Sequence, residues 1–453
     1  MGSIRMLAEG APIDGSNTVN RRSSRGWTLA RMMGMLLHPS LFFGTYWILA
    51  LLFVELAGET LSLSVSVWLL VAVYWAAISL GAVIGSSPLR SGDRRSPLRP
   101  KLVSLHFNTV IGVAVTAGVF GCVLLVVTSG RSVSSWSSPL DLFSVGRHFM
   151  SLRYGAREAP SVLLNIANVL LYLGILCSGL SLGVKSSRRA VMTCALLLGL
   201  GLLQAFLVSA RTGLVWMSAF LFASYLTGAV LAGRQNRLVS PKRLLIVIVA
   251  FFSVITLVFV IQTIRENNTF RIPVATFDKT MVTILSPPVA FSAWLNSKAF
   301  DVDPAFGTRT FGGPSNLLGL YDRGLGLNWE PTGMRYHGRT YYPNVYTGFR
   351  QLIEDATLPG SILVMLAFGI LAGWAYRGVR CGQVVAVPCL MLFYGVVLGS
   401  YIANWLTYTT LLAAWVVFFS CFIIPAVRKR TLSMQWGIPI QCASRCPDPR
   451  ISG

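Results

Sequence analysis

The sequence predicts an all-α, polytopic membrane protein of about ten transmembrane helices with one large extracytoplasmic loop. Three observations carry that prediction. Apolar residues fall in unbroken blocks of about 20, the length at which a helix crosses the hydrocarbon of a bilayer. Only 12% of the 453 residues are charged and the mean hydropathy is +0.64, whereas a soluble domain carries about 25% charged residues. Basic residues alternate in density from one connection to the next, as cytoplasmic and outer loops do. A soluble enzyme, a disordered chain and an outer-membrane barrel with short alternating strands are thereby excluded.

Taken in order, residues 1–38 form a basic cytoplasmic arm. A first membrane domain, 39–263, holds spans at about 40–57, 62–84, 105–128, 161–184, 190–210, 213–232 and 244–263. The large loop covers 264–358, a second membrane domain at 359–425 holds spans at about 359–376, 384–403 and 407–425, and 426–453 is a cytoplasmic tail. The first span reads as a retained anchor, because no small-residue cleavage site follows it.

The charges orient these spans. The arm, the tail and the connections near residues 95, 187, 239 and 379 carry 24 of the 38 basic residues against four acids. The opposite side carries 14 basic residues and 12 acids. The positive-inside rule makes the first side cytoplasmic and puts both termini there. The pI of about 10.3 therefore reports orientation, and no nucleic-acid partner is expected. Of eight cysteines, five lie in apolar blocks and three in basic segments, so neither a disulfide framework nor a metal site is expected.

No Asp, Glu, Lys or Arg falls in the middle of any predicted span. Ion-coupled transporters place such groups near the midplane, so chemistry at the membrane surface fits better than transport. The 264–358 loop is far longer than ordinary connections, and it holds fourteen aromatic, nine basic and eight acidic residues. Aromatic faces pack on the apolar faces of sugar rings while polar groups hydrogen-bond their hydroxyls. Its apolar stretch 280–295, broken by Pro287-Pro288, reads as interfacial and is not counted as a span. Asp301-Val302-Asp303 matches a nucleotide-sugar metal motif, but no nucleotide is expected outside the cell and the match reads as chance.

Candidate site residues cluster in two places. Arg211 sits in the four-residue junction Ala210-Arg211-Thr212-Gly213 between spans five and six, where a guanidinium is pre-organised to fork onto a phosphate. Arg265 and Arg271 follow span seven and can face the same space. The densest polar stretch, 333–355, contributes Arg335, His337, Arg339, Tyr342, Asn344, Tyr346 and Arg350 as substrate-facing groups. His337 is a candidate general base, with Glu330 and Glu354 as alternatives. Asn344 is placed to cap a short helix from Val345 to about Asp355, ahead of a Pro359-Gly360 turn. Arg350 and Glu354, four apart, read as a surface ion pair.

Asn344-Val345-Tyr346-Thr347, then Pro359-Gly360 and a span bearing Gly369, Gly373 and Tyr376, resembles the C-terminal signature of the Wzy-type polymerases of oligosaccharide repeat units (O-antigen or exopolysaccharide polymerases). The Ala210-Arg211-Thr212-Gly213 junction resembles the Ser-Arg-Thr-Gly hairpin common in that family. The resemblance covers roughly 190–425; one departure is Thr357-Leu358-Pro359-Gly360 where the family often has Asp-Phe-Gly. It implies a metal-independent, cofactor-free glycosyltransferase of GT-C type in the bacterial plasma (inner) membrane. Its substrate would be an undecaprenyl-pyrophosphate-linked oligosaccharide, with a chain-length regulator as a possible protein partner. Arg211, helped by Arg265, would hold the leaving pyrophosphate. O-antigen ligases share the architecture but usually show His-Asn where this chain has Pro343-Asn344. A lipid-linked glycan flippase is the non-enzyme alternative.

Overall fold

The structure, a computed structural model, describes residues 35–57, 63–87, 101–129, 149, 161–185, 187–208, 211–234, 256, 274–320, 333–342 and 346–435. Its helices are α1 (Pro39–Ala57), α2 (Val65–Ser86), α3 (Lys101–Thr128), α4 (Val162–Val184), α5 (Arg188–Val208) and α6 (Arg211–Leu231), then α7 (Val274–Lys298) and α8 (Gly312–Leu317). A small antiparallel hairpin follows, β1 (Met334–Tyr336) and β2 (Arg339–Tyr341), and then α9 (Gly348–Arg380), α10 (Ala386–Gly399) and α11 (Thr409–Gln435).

Seven described helices, α1 to α6 and α9, are long and apolar enough to cross a membrane. They coincide with predicted spans one to six and eight. Predicted span seven, 244–263, lies outside the described residues apart from Thr256. Span nine is shorter than expected: α10 has 14 residues, about 21 Å of helix against about 30 Å of hydrocarbon. Beyond the helix end, groups from α1 and α9 hold the chain by hydrogen bonds to its backbone and to Ser400. Trp47 donates its indole N–H to the Ser400 hydroxyl (3.1 Å), Gly348 N–H donates to Ser400 O (2.7 Å), and Asn404 N–H donates to Gln351 Oε1 (2.9 Å). Irregular backbone at such depth is stable only when protein satisfies it.

Glycines set the helix spacing. Along α2 and α9, a Cβ at Gly81 would lie 2.2 Å from Leu366 O, at Gly85 2.0 Å from Ile370 O, at Gly369 2.5 Å from Ile78 O and at Gly373 2.2 Å from Ala82 O. Residue numbers rise together on both helices, so the two run parallel with backbones in contact. Gly179, Gly183 and Gly228 pack α4 onto α6 in the same way. Arg377 closes the crossing by donating from Nη1 to the carbonyls of Ser86 (3.2 Å) and Ser87 (2.7 Å), orphaned at the C-terminus of α2.

Two segments of the predicted loop differ from expectation. The 280–295 stretch is not broken by its prolines; α7 runs straight through Pro287 and Pro288. Pro288 cannot donate to Ile284 O, and the Tyr401 phenol donates to that carbonyl instead, at 2.8 Å. The short helix expected from Val345 is present but begins at Gly348, and non-helical Thr357 separates it from the membrane-spanning part of α9, so α9 is two helices that meet at a kink. Its N-cap is Thr347, without a side-chain capping bond, and Asn344 lies outside the described residues. In place of a Pro359-Gly360 turn, α9 kinks at Thr357 (φ 64°, ψ 172°). Its first turn is buried: the Phe349 ring lies 4.5 Å from Trp47, 5.0 Å from Tyr74 and 6.1 Å from Phe291.

Candidate functional site: a charged, aromatic-walled cavity beside the α9 kink

The kink creates the site. Pro359 has no N–H for Asp355 O, and the left-handed turn at Thr357 breaks the ladder ahead of it. Two helix carbonyls are thereby freed, and the loop after α7 fills them. Ala305 N–H donates to Glu354 O (2.9 Å) and Phe306 N–H to Asp355 O (3.1 Å). The buried Asp355 carboxylate then accepts from Arg309 N–H (2.9 Å) and Thr310 N–H (2.6 Å). Gln351 adds a brace, its amide donating to Arg309 O (3.3 Å) and to Thr407 Oγ1 (2.8 Å).

Between this pinned loop and the two helices lies a cavity of about 390 Å³. Trp294 and Lys298 line it from the last turns of α7, and Arg350 and Glu354 from the first turns of α9. The loop contributes Asp301, Val302, Asp303, Ala305 and Arg309. Arg350 is the centrepiece. Its guanidinium lies 4.2 Å from the ring centre of Tyr346 and 5.0 Å from that of Trp294, and its Nε donates to Glu354 Oε1 at 2.7 Å. The pair expected at the surface is therefore buried, with side chains only 10% and 14% exposed. Glu354 Oε2 is buried with no hydrogen-bond partner among the described residues. With three bases and three acids on its wall, the cavity is balanced in charge. Such a wall suits a polyhydroxylated ligand that takes hydrogen bonds from groups of both signs.

His337 is elsewhere. It occupies the tip of the β1–β2 hairpin with φ 46°, followed by Gly338 at φ 75°. Two successive positive φ values define the type I′ turn, which favours Asn-Gly. The His337 Nδ1 lies 3.0 Å from Asp278 Oδ1 on α7, and its ring stacks on Tyr336 at 4.2 Å. The imidazole is exposed while Asp278 is buried beneath it. Burial, then the Asp278 carboxylate and the Tyr341 phenol, hold the Tyr336 phenol above its ordinary range. Asp278 and Trp294 are sixteen residues apart on α7, about 24 Å at helical rise. His337 therefore does not line the cavity.

The remaining sequence candidates divide as follows. Tyr346 and Arg350 are brought together at the cavity. Arg335 and Arg339 lie on the two strands of the hairpin, and Tyr342, just beyond, is exposed. Arg211 is the first residue of α6. That helix start lies at the same end of the bundle as the cavity, because Trp216 on α6 packs on Tyr408 (5.6 Å) and Thr407 contacts Arg309 O. Arg265 and Arg271 lie outside the described residues. Sequence reasoning missed Lys298, Arg309, Asp278 and Asp355, and it set aside Asp301 and Asp303, which line the cavity. The usable signal was Pro359, which requires that something other than its own helix satisfy Asp355 O.

The seven long apolar helices define a multi-pass, membrane-embedded helical protein. Comparison with known protein families, with curated proteins and with solved structures returned no match.

Proposed function

We propose that this chain is a polysaccharide polymerase. It joins undecaprenyl-pyrophosphate-linked oligosaccharide repeat units at the outer face of the bacterial plasma membrane, with both termini cytoplasmic. The observation that carries this reading is Arg350, held against Trp294 and Tyr346 on the wall of a charge-balanced cavity. Tyr346 belongs to the Asn344-Val345-Tyr346-Thr347 stretch on which the family resemblance rests. The cavity takes a sugar of the glycan. Arg211, at the same end of the bundle, takes the pyrophosphate, with Arg265 and Arg271 as further cations.

In the reaction, an acceptor hydroxyl attacks the anomeric carbon of the donor glycan. The C–O bond to the pyrophosphate breaks, and the leaving oxygen keeps the electron pair. Fixed cations stabilise the charge that develops there, and the hydroxyl proton passes to a base. His337 serves as that base only where the acceptor hydroxyl reaches the hairpin tip beside Asp278; at the cavity wall the candidate is Glu354. The chain-length regulator and the membrane lipid are partners of the same reading.

A strain lacking the chain tests it. The expected phenotype is export of single repeat units with loss of long polymer. Repeat units trapped on the cytoplasmic leaflet would identify a flippase. Long lipid-linked polymer that is never transferred to its final acceptor would identify a ligase.

A further inference from the structure

One stretch of the loop carries apolar side chains where water would be a poor solvent for them. Phe300 and Phe306 are 81% and 86% exposed, and Phe311, Leu317, Leu318 and Leu320 are exposed too, all within 21 residues. Contiguous exposed apolar surface of this kind marks an interaction site.

Its position says what the partner is. Two anchors fix the level of the stretch along the bundle. Just ahead of the stretch, Asn296 accepts from the Ser66 hydroxyl in the first turn of α2 (2.5 Å). Gly313 packs against the Thr407 carbonyl and the backbone of Thr409, the first residue of α11. On the other flank, Ser292 of α7 bonds to Ser64, the residue before α2. Residues 299–320 therefore lie at the level where α2 and α11 begin, which is the edge of the apolar slab. Apolar side chains pointing away from the bundle at that level meet lipid.

The loop is also two-faced. Asp301, Asp303 and Arg309 line the cavity, while Phe300, Phe306 and Phe311 are turned to the exterior. Phe306 is held at φ 49°, followed by Gly307 at φ 88°, so a strained turn carries the most exposed phenylalanine at its tip. A bulky residue in the left-handed region needs a compensating contact.

We propose that residues 299–320 form a collar inserted in the lipid leaflet at this end of the bundle, so that the cavity opens at headgroup level and is filled sideways by an amphiphile. The insertion stands on membrane embedding alone. The identity of the amphiphile as a lipid-linked glycan rests on the polymerase reading.

The test places a small fluorescent amino acid, by stop-codon suppression, at Phe306, at Leu318 and, as an aqueous reference, at Arg339. The full chain is reconstituted in phosphatidylethanolamine–phosphatidylglycerol vesicles. Lipid bearing a nitroxide high on its acyl chain is expected to quench the probes at 306 and 318. Iodide is expected to quench them roughly fivefold less than the probe at 339. Iodide quenching equal to that at 339 would place the segment in water and overturn the collar. Protection from both quenchers would mean that protein covers it, and would overturn the collar as well. In cells, Phe306→Glu with Leu318→Glu is expected to shorten polymer while Phe306→Leu leaves it unchanged. If a strain lacking the chain still makes normal polymer, the polymerase reading falls, and the quenching result continues to decide the collar by itself.

Discussion

Replacing Gly369 by alanine probes the contact on which the position of α9 depends. The new Cβ would lie 2.5 Å from Ile78 O and 2.8 Å from Ile78 Cα, both backbone atoms that cannot rotate away. Relief requires α2 and α9 to part by about 1 Å, and a gap of that size forfeits a quarter to a half of each contact's dispersion energy. Because Gly81, Gly85 and Gly373 make equally close approaches along the same seam, the loss is shared by the whole crossing. Overpacking of this kind costs about 1–3 kcal/mol. Gly112 and Gly199 are internal controls, because a Cβ at either meets nothing within 4 Å. There alanine is expected to add about 0.5–1 kcal/mol through helix propensity. Thermal unfolding of the purified protein in one detergent, followed by tryptophan fluorescence, separates the cases. The midpoint should fall for Gly369→Ala and hold or rise for Gly112→Ala. Equal midpoints would refute the claim that backbone contact between α2 and α9 sets their spacing.

Four further outcomes follow from the site. Arg350→Lys keeps the charge but loses the guanidinium contacts with Tyr346 and Trp294; polymer yield should drop roughly tenfold at unchanged protein level, whereas a plain ion pair with Glu354 would let lysine substitute freely. Asp355→Ala strips two carboxylate hydrogen bonds from the cavity loop, each worth about 1.5–3 kcal/mol, and limited proteolysis between residues 299 and 311 should accelerate; an unchanged digestion pattern would mean that the freed carbonyls hold the loop without it. His337→Asn suits the type I′ turn better than histidine does, so the protein should accumulate normally while polymer is lost if the imidazole is the base, and full polymer would remove it from the mechanism. His38, packed edge-on to Tyr376, has its pKa lowered from 6.5 by burial and then by the charge of Arg380. The unfolded chain therefore binds the proton first as pH falls through 6.5, so stability should decline below that pH; His38→Gln should flatten the slope, and an unaltered slope would show that His38 is not its source.

Hydropathy alone was enough to place α1 to α6 and the membrane part of α9, because a span must be about 20 apolar residues long whatever it packs against. The same one-dimensional rule failed at Gly399, where Trp47, Gln351 and Gly348 meet the chain beyond the helix end through contacts about fifty to more than three hundred residues distant in sequence. It failed again at Pro287-Pro288, where a tyrosine more than a hundred positions away supplies the missing donor.

At the site, residue type and spacing were sufficient to single out Arg350, Tyr346 and Glu354, since i,i+4 partners and aromatic neighbours are local facts. Their burial was not local. It depends on Trp294 arriving from α7 and on Asp355 drawing residues 305–310 over the kink. His337 and Arg350 are only thirteen positions apart in sequence, yet they meet α7 at Asp278 and at Trp294, sixteen residues apart on that helix. Composition determined that this chain lives in a membrane. Which of its charged residues share one cavity was decided by where a proline and a left-handed threonine broke α9, and by which distant backbone groups came to satisfy the carbonyls they left.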